Sequence, residues 1–262
     1  GYVADGYYTL DDFNEADARH KTWTLKPGVT KINGANPQPG DMKFKDLRGD
    51  GVINAGDNTV DNPGDRKIIG NDAARYQFGA NLGASYKGFS LDVMLQGVGK
   101  RDYWLGGAAL FPFGGAGAGD AVFQALYANQ TDYWRAKSYD PASPDYMQPV
   151  NPNSKLFRIY DQGNNVGSNT RVSDKYLQNA AYLRIKNITL AYTLPKIWVR
   201  RAMLQDAKLY VSVENLATFS HLPKGYDPEG TAASTTANAL SNGISWGYPY
   251  YRTISLGASI TF

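Results

Sequence analysis

Residues 76 to 86, YQFGANLGASY, alternate without exception: Tyr76, Phe78, Ala80, Leu82, Ala84 and Tyr86 stand at one parity, and Gln77, Gly79, Asn81, Gly83 and Ser85 at the other. A period of two puts the first set on one face of an extended strand and the second on the opposite face, whereas a helix would scatter both. Two residues, Lys87-Gly88, separate this run from a second one, FSLDVMLQG, in which Phe89, Leu91, Val93 and Leu95 oppose Ser90, Asp92, Met94 and Gln96. Alternating runs joined by a two-residue link predict an antiparallel hairpin.

The pattern recurs further along the chain. In KLYVSVEN (208 to 215) Leu209, Val211 and Val213 oppose Lys208, Tyr210, Ser212 and Glu214. In RTISLGASITF (252 to 262) Ile254, Leu256, Ala258, Ile260 and Phe262 oppose Thr253, Ser255, Gly257, Ser259 and Thr261. YLRIKNITLAYTL (182 to 194) changes phase, because Leu183 and Ile185 share one parity and Ile188, Leu190, Tyr192 and Leu194 the other. A bulge near Lys186-Asn187 reconciles the two halves. Strands are therefore expected near 74–86, 89–103, 181–194, 207–219 and 250–262, giving an all-β, antiparallel chain with a loop region at 1–73 and strands and loops over 74–262.

Alternation suits a soluble sandwich as well as a membrane barrel. The connections separate them. Links of about 2 and 12 residues alternate with segments of tens of residues (1 to 73, 104 to 180, 220 to 249), the asymmetry of outer-membrane barrels with short periplasmic turns and long extracellular loops. No stretch reaches the roughly 18 apolar residues of a membrane helix, and residues 1 to 20 carry no basic start or apolar run of a signal peptide. With 28 Gly and 13% aromatic residues, the composition favours turns and aromatic girdles. Five strands are below the roughly eight that close a membrane barrel, so the expectation is a transmembrane barrel fragment. The net charge of +3, spread without a basic block, gives no support for a nucleic-acid partner. The absence of cysteine excludes disulfides, thiolate zinc sites and a cysteine nucleophile within this chain.

KDLRGDGVINAGD (45 to 57) follows the scheme of a calcium loop. Asp46, Asp50, Asn54 and Asp57 fall at positions 1, 5, 9 and 12, Gly51 takes the turn at position 6, and Val52 offers its carbonyl at position 7. Arg48 puts a cation at position 3, where an oxygen ligand belongs. Two readings stay open, a structural Ca²⁺ or other hard cation and a glycine-assisted turn with solvated aspartates. The glycines of FGGAGAGD (113 to 120) lack both the dinucleotide spacing and a following Lys-Thr, so they read as a loop. Asp120 caps an expected short helix, AVFQALYAN (121 to 129). His20 and His221 lack a nearby serine-carboxylate pattern, and no enzyme is expected. Tyr127, Tyr133, Trp134 and Tyr139, with Tyr146, crowd one segment; as stacking faces they are candidate substrate contacts, and the favoured reading makes them the loop's own small core.

Several stretches in order resemble the C-terminal part of a SusC-like TonB-dependent outer-membrane transporter. They are VADGYYTLDDF, PGDMKFKDLRGDGVINAGD (39–57), IIGN (68–71), FGANLGASYKGFSLDVMLQGVGKRD (78–102), YLQNAAYLRIKNITLAYTLP (176–195), LYVSVENLATF (209–219), GYDPEG (225–230) and the terminal ISLGASITF. The resemblance implies the last five strands of a 22-stranded barrel, in the outer membrane of a Gram-negative bacterium of the Bacteroidota type, with a plug and a TonB-contacting segment outside these residues. It also implies a SusD-like surface lipoprotein that the aromatic loop could meet, a glycan or oligopeptide as cargo, and Phe262 as the signal read by the barrel-assembly machinery. It gives the calcium-like loop an extracellular bracing role. The alternative from another class is a calcium-braced surface β-domain that binds or adheres without transport.

Overall fold

The computed structural model describes residues 1–14, 23–104, 110–111, 128–159, 166–224, 226–230 and 250–262. Short strands come first: β1 (Ala4–Tyr7), β2 (Lys31–Ile32), β3 (Met42–Phe44) and β4 (Val52–Ile53). The long ones follow: β5 (Arg75–Tyr86) and β6 (Phe89–Lys100), then β7 (Asp102–Trp104) and β8 (Leu177–Asn179) on either side of a long connection, then β9 (Tyr182–Thr193), β10 (Asp206–Ser220) and β11 (Thr253–Thr261). The described residues group into two units, one within Gly1–Gly70 and Trp104–Leu177, the other within Asn71–Tyr103, Gln178–Ala233 and Ser245–Phe262.

The second unit is a five-stranded antiparallel sheet in the order β11-β10-β9-β6-β5. The hairpin forms as the alternation requires, with Leu82 opposite Val93 and Tyr86 opposite Phe89. Its two turn residues have positive φ, Lys87 at 47° and Gly88 at 88°, which is the primed geometry that matches strand twist. The phase change in β9 is a bulge: Met94 faces Asn187 and Leu95 faces Ile185, leaving Lys186 extra. On the other side Glu214 faces Asn187 and Ala217 faces Ile185, so β10 bulges as well, and Asn215 takes a φ of 51°.

Register sorts the side chains into two faces. Phe78, Leu82, Leu91, Val93, Ile185, Ile188, Leu190, Leu209, Val211, Ile254 and Leu256 share one face; Asn81, Asp92, Gln96, Arg184, Asn187, Thr189, Ser212, Glu214 and Ser255 share the other. The polar face is cross-linked: Asn187 Nδ2 donates to Ser212 Oγ at 2.9 Å, and Thr189 Oγ1 donates to Asn187 Oδ1 at 2.8 Å. The apolar face is bare, with Leu256 84% and Ile254 67% exposed, and nothing among the described residues covers it. Burying one such side chain is worth about 1.5–3 kcal/mol, so water is the wrong solvent for this face. Aromatic rings lie over glycine on the neighbouring strand at two places, Phe78 over Gly97 and Tyr210 over Gly257, where a Cβ would collide with the ring. Aromatics packed across sheet glycines are a recurrent way of pinning register.

The first unit has a core of its own. Tyr2, Tyr7, Ile32, Met42, Phe44 and Ile53 from the early segment pack with Phe111, Trp134, Met147, Leu156, Phe157 and Tyr176. β1 pairs antiparallel with β3, and β2 parallel with β4. Among its buried polar groups, Tyr7 Oη donates to the Ser154 carbonyl at 3.0 Å, and Asn169 donates to Asp41 Oδ1 at 2.8 Å while accepting from Met42 N at 2.7 Å, as a low-dielectric interior favours. Burial raises the Tyr7 hydroxyl well above the ordinary phenol pKa, so it stays a neutral donor. This grouping corrects the expected division at residue 73. The part of residues 104–177 that is described folds with 1–70, because its aromatic side chains find their burial there.

Candidate functional site

In the calcium-like loop the carboxylate oxygens of Asp46, Asp50 and Asp65 come within 4.8 Å of one another. Asp57, expected at position 12, is not in this group; its Oδ2 accepts from Asn62 Nδ2 at 2.8 Å. Asp65 takes its place from outside the motif. Fully buried, it accepts from the backbone N–H of Leu47 (3.0 Å), Arg48 (3.2 Å) and Asn54 (2.8 Å). Asp46 accepts from Gly49 N at 2.6 Å and Gly51 N at 2.7 Å, and these bonds, Gly51 foremost, hold its carboxyl below the usual range. Asn54 Oδ1 accepts from Gly56 N at 2.8 Å and its amide donates to the Val52 carbonyl at 3.3 Å. Arg48 supplies a positive charge inside the loop, 2.7 Å from Asp50 Oδ2 and 3.9 Å from Asp65 Oδ1. The carboxylate trio fits a hard cation in donor chemistry, and the guanidinium already occupies part of that role.

A second charged cluster stands on the polar face of the sheet. Arg184 and Lys186, two apart on β9 and so on one face, both reach the segment 227–229. Arg184, 2% exposed, lies 2.7 Å from Asp227 Oδ1 and 3.3 Å from Glu229 Oε2, and its Nε donates to Thr218 Oγ1 at 2.8 Å. Lys186 Nζ is 3.0 Å from Glu229 Oε2, and the Tyr250 ring lies under both cations, 5.2 Å from the guanidinium carbon and 4.7 Å from the ammonium. Burial pushes the Asp227 carboxyl up, but its bond to Arg184 and the backbone N–H groups of Glu229 and Tyr250 outweigh this and leave it below the ordinary carboxylate range. Arg101 Nη1 donates to the Pro228 carbonyl at 3.5 Å. The segment is thus fastened to the strands by charge. The sequence reading missed this cluster; its signal was two cations spaced by two in a strand and an Asp-x-Glu in the following loop.

Trp134 is buried at 2% and seated against Gly40, so it is a core residue and offers no face to a ligand. Tyr133 is half-buried under Arg135, and Tyr139 is exposed with Arg158 5.5 Å from its ring centre. Tyr127 lies outside the described residues, as do His20, the 113–120 loop and most of the expected helix at 121–129; Ala128–Gln130 forms a 3-10 turn. His221 lines an open groove of about 550 Å³ with Phe78, Tyr182 and Phe219. Phe262 is exposed at the chain's last position.

A sheet polar on one face and bare and apolar on the other, with short links at one end and a separately cored loop unit, defines a segment of a membrane β-barrel wall. Comparisons with known proteins narrow the class. No family model matches the chain. It is 28% identical over its whole length to TonB-dependent receptor P3 of Formosa agariphila and 24% identical over 92% of its length to TonB-dependent receptor P26 of the same organism. It spans about a fifth, 22%, of each. The RagAB peptide importer in its 'closed-closed' state shares the fold over the whole chain and 23% of its own, with a TM-score of 0.50 and 19% identity. The chain is thus similar over its full length to a TonB-dependent receptor, and its fold is shared with a segment of the RagAB importer.

Proposed function

We propose that this chain forms wall strands and outward loops of a TonB-dependent importer in the outer membrane of a Gram-negative bacterium, working with a SusD-like surface lipoprotein on oligopeptide or glycan cargo. The carrying observation is the bare apolar face of the sheet, which a surface-exposed adhesive domain would have to cover. The names of the relatives support receptor-type import, and the RagAB neighbour, named as a peptide importer, keeps peptide among the cargoes. TonB contact and the plug fall to residues outside this chain. The experiment is a cysteine scan of β11 in the full-length protein, to which this chain contributes no native cysteine. A membrane-impermeant thiol reagent should label positions 255 and 259 and spare 254, 256, 258 and 260. Preferential labelling of the second set contradicts the reading.

The calcium-like loop braces the first unit in this proposal, with Asp46, Asp50 and Asp65 as the carboxylates offered to a hard cation and Arg48 as its competitor. Ca²⁺ titration by calorimetry is expected to give the weak affinity of extracellular modules, a dissociation constant of about 0.1–1 mM. Arg48→Asp, which restores an oxygen ligand at position 3, should tighten it at least tenfold. No heat from either protein would mean that the loop is held without a bound cation.

A further inference from the structure

The link between β9 and β10 carries a short helix, Lys196–Arg201, that the transport reading does not use. It starts after Pro195, and Val199, buried at 2%, is the side chain it turns inward. Everything else it presents is open: Ile197 is 67% exposed, Trp198 56% and Met203, just beyond the helix, 91%. Bare isoleucine, tryptophan and methionine on a six-residue turn have no use in water. Between them stand three cations, Lys196, Arg200 and Arg201. Lys196 is 3.8 Å from Asp206, an exposed pair that holds it weakly; among the described residues Arg200 and Arg201 have no ion-pair partner.

The position of the helix says what covers it. β9 ends at Thr193, whose N–H donates to the Gly88 carbonyl at 2.8 Å, so this link lies at the same end of the sheet as the Lys87-Gly88 turn. Gln205 N donates to the Thr261 carbonyl at 2.8 Å, which brings the last strand to the same rim. The bare apolar face ends here in aromatic rings: Tyr86, Phe89 and Tyr192, with Phe89 and Tyr192 4.5 Å apart. Aromatic belts mark the boundary between hydrocarbon and headgroups, and arginine and lysine beside them reach for phosphate while their stems stay in the apolar layer.

We propose that residues 196–203 form an interfacial anchor, in which Ile197, Trp198 and Met203 enter the boundary of the short-turn leaflet and Arg200, Arg201 and Lys196 bind the phosphates of anionic phospholipid. The combination of exposed apolar side chains and unpaired cations on one short segment, continuous with a lipid-facing sheet, selects a charged lipid surface over a protein groove. The anchor fixes the height of the barrel wall in the membrane, with Trp198 two residues before Arg200.

The inference rests on the membrane reading, so its test includes a control for that reading. Single-cysteine variants Ile197→Cys, Met203→Cys and Leu256→Cys of the full-length protein are spin-labelled and placed in phosphatidylethanolamine bilayers with and without phosphatidylglycerol. Accessibility to oxygen and to a water-soluble nickel chelate reports depth. The expected result is a label at 256 in hydrocarbon and labels at 197 and 203 at shallow depth, with Arg200→Glu/Arg201→Glu abolishing the deepening that phosphatidylglycerol causes. Labels at 197 and 203 in water with 256 in lipid overturn the anchor and leave the barrel. Labels there shielded from both reagents show a protein cover and also overturn it. All three in water contradict the membrane reading itself.

Discussion

Replacing Arg184 with methionine is expected to destabilise the second unit by about 3–5 kcal/mol, the cost of stripping one partner from a buried ion pair. The guanidinium is 2% exposed, and its removal leaves Asp227 and Glu229, 10% and 12% exposed, with Lys186 as the cation still ion-paired to Glu229 among the described residues. Water cannot repair the loss without prising residues 226–230 from the polar face. Limited proteolysis should therefore cut near this segment in Arg184→Met and leave the parent intact. The same cluster gives a pH dependence with a definite sign. The Asp227 pKa is depressed in the folded protein, so its contribution is complete above the unfolded carboxylate value of about 4 and is lost as pH falls through the folded value. The protease-sensitive state should appear in the parent protein only in acid, below the ordinary carboxylate range.

The second large effect is at Asp65. Its buried carboxylate holds three backbone N–H groups from two stretches of the calcium-like loop, Leu47-Arg48 and Asn54. Asp65→Ala orphans all three and leaves the Arg48 guanidinium with Asp50 alone, for an expected loss of about 3–5 kcal/mol from the first unit. Asp57→Ala is the contrast, because Asp57 holds only the exposed Asn62 amide; its effect should stay within about 0.5 kcal/mol. Denaturation followed by Trp134, which sits in the core of the same unit, reads both changes. Equal effects would mean that the loop is organised by its motif and not by Asp65.

These two sites show where sequence reading reached and where it stopped. Period-two alternation made the hairpin and the β9 bulge legible, since one face of a strand is dictated by a single solvent and a phase error exposes it. What alternation could not say is what Lys186 meets: its partner is Glu229, 43 positions away, and no local pattern encodes a partner at that distance. Likewise the EF-hand spacing located Asp46 and Asp50 but assigned Asp57 the closing role. Asp65 stands with them instead, where the chain turns back at Gly64, which has a φ of 64° with Asn54 and Gly56 against it. Trp134 carried two readings in the sequence, a stacking face and, favoured, part of a small loop core, because composition cannot distinguish a stacking platform from a core. The core it joins, Phe44 and Ile53 included, draws on a segment distant in sequence.

The central claim is that this sheet is part of a closed wall. Within the described residues β5 and β11 are its edges, each paired on one side only, and an unpaired edge in hydrocarbon costs several kcal/mol per backbone group. Residue-resolved hydrogen exchange on the full-length protein in bilayers tests this directly. Consecutive amides of Thr253–Thr261 and Arg75–Tyr86 should exchange as slowly as those of the central strand β9, which requires partner strands beyond the described residues. Rapid exchange at every second amide of β5 and β11, with β9 protected, would show open edges and contradict the barrel.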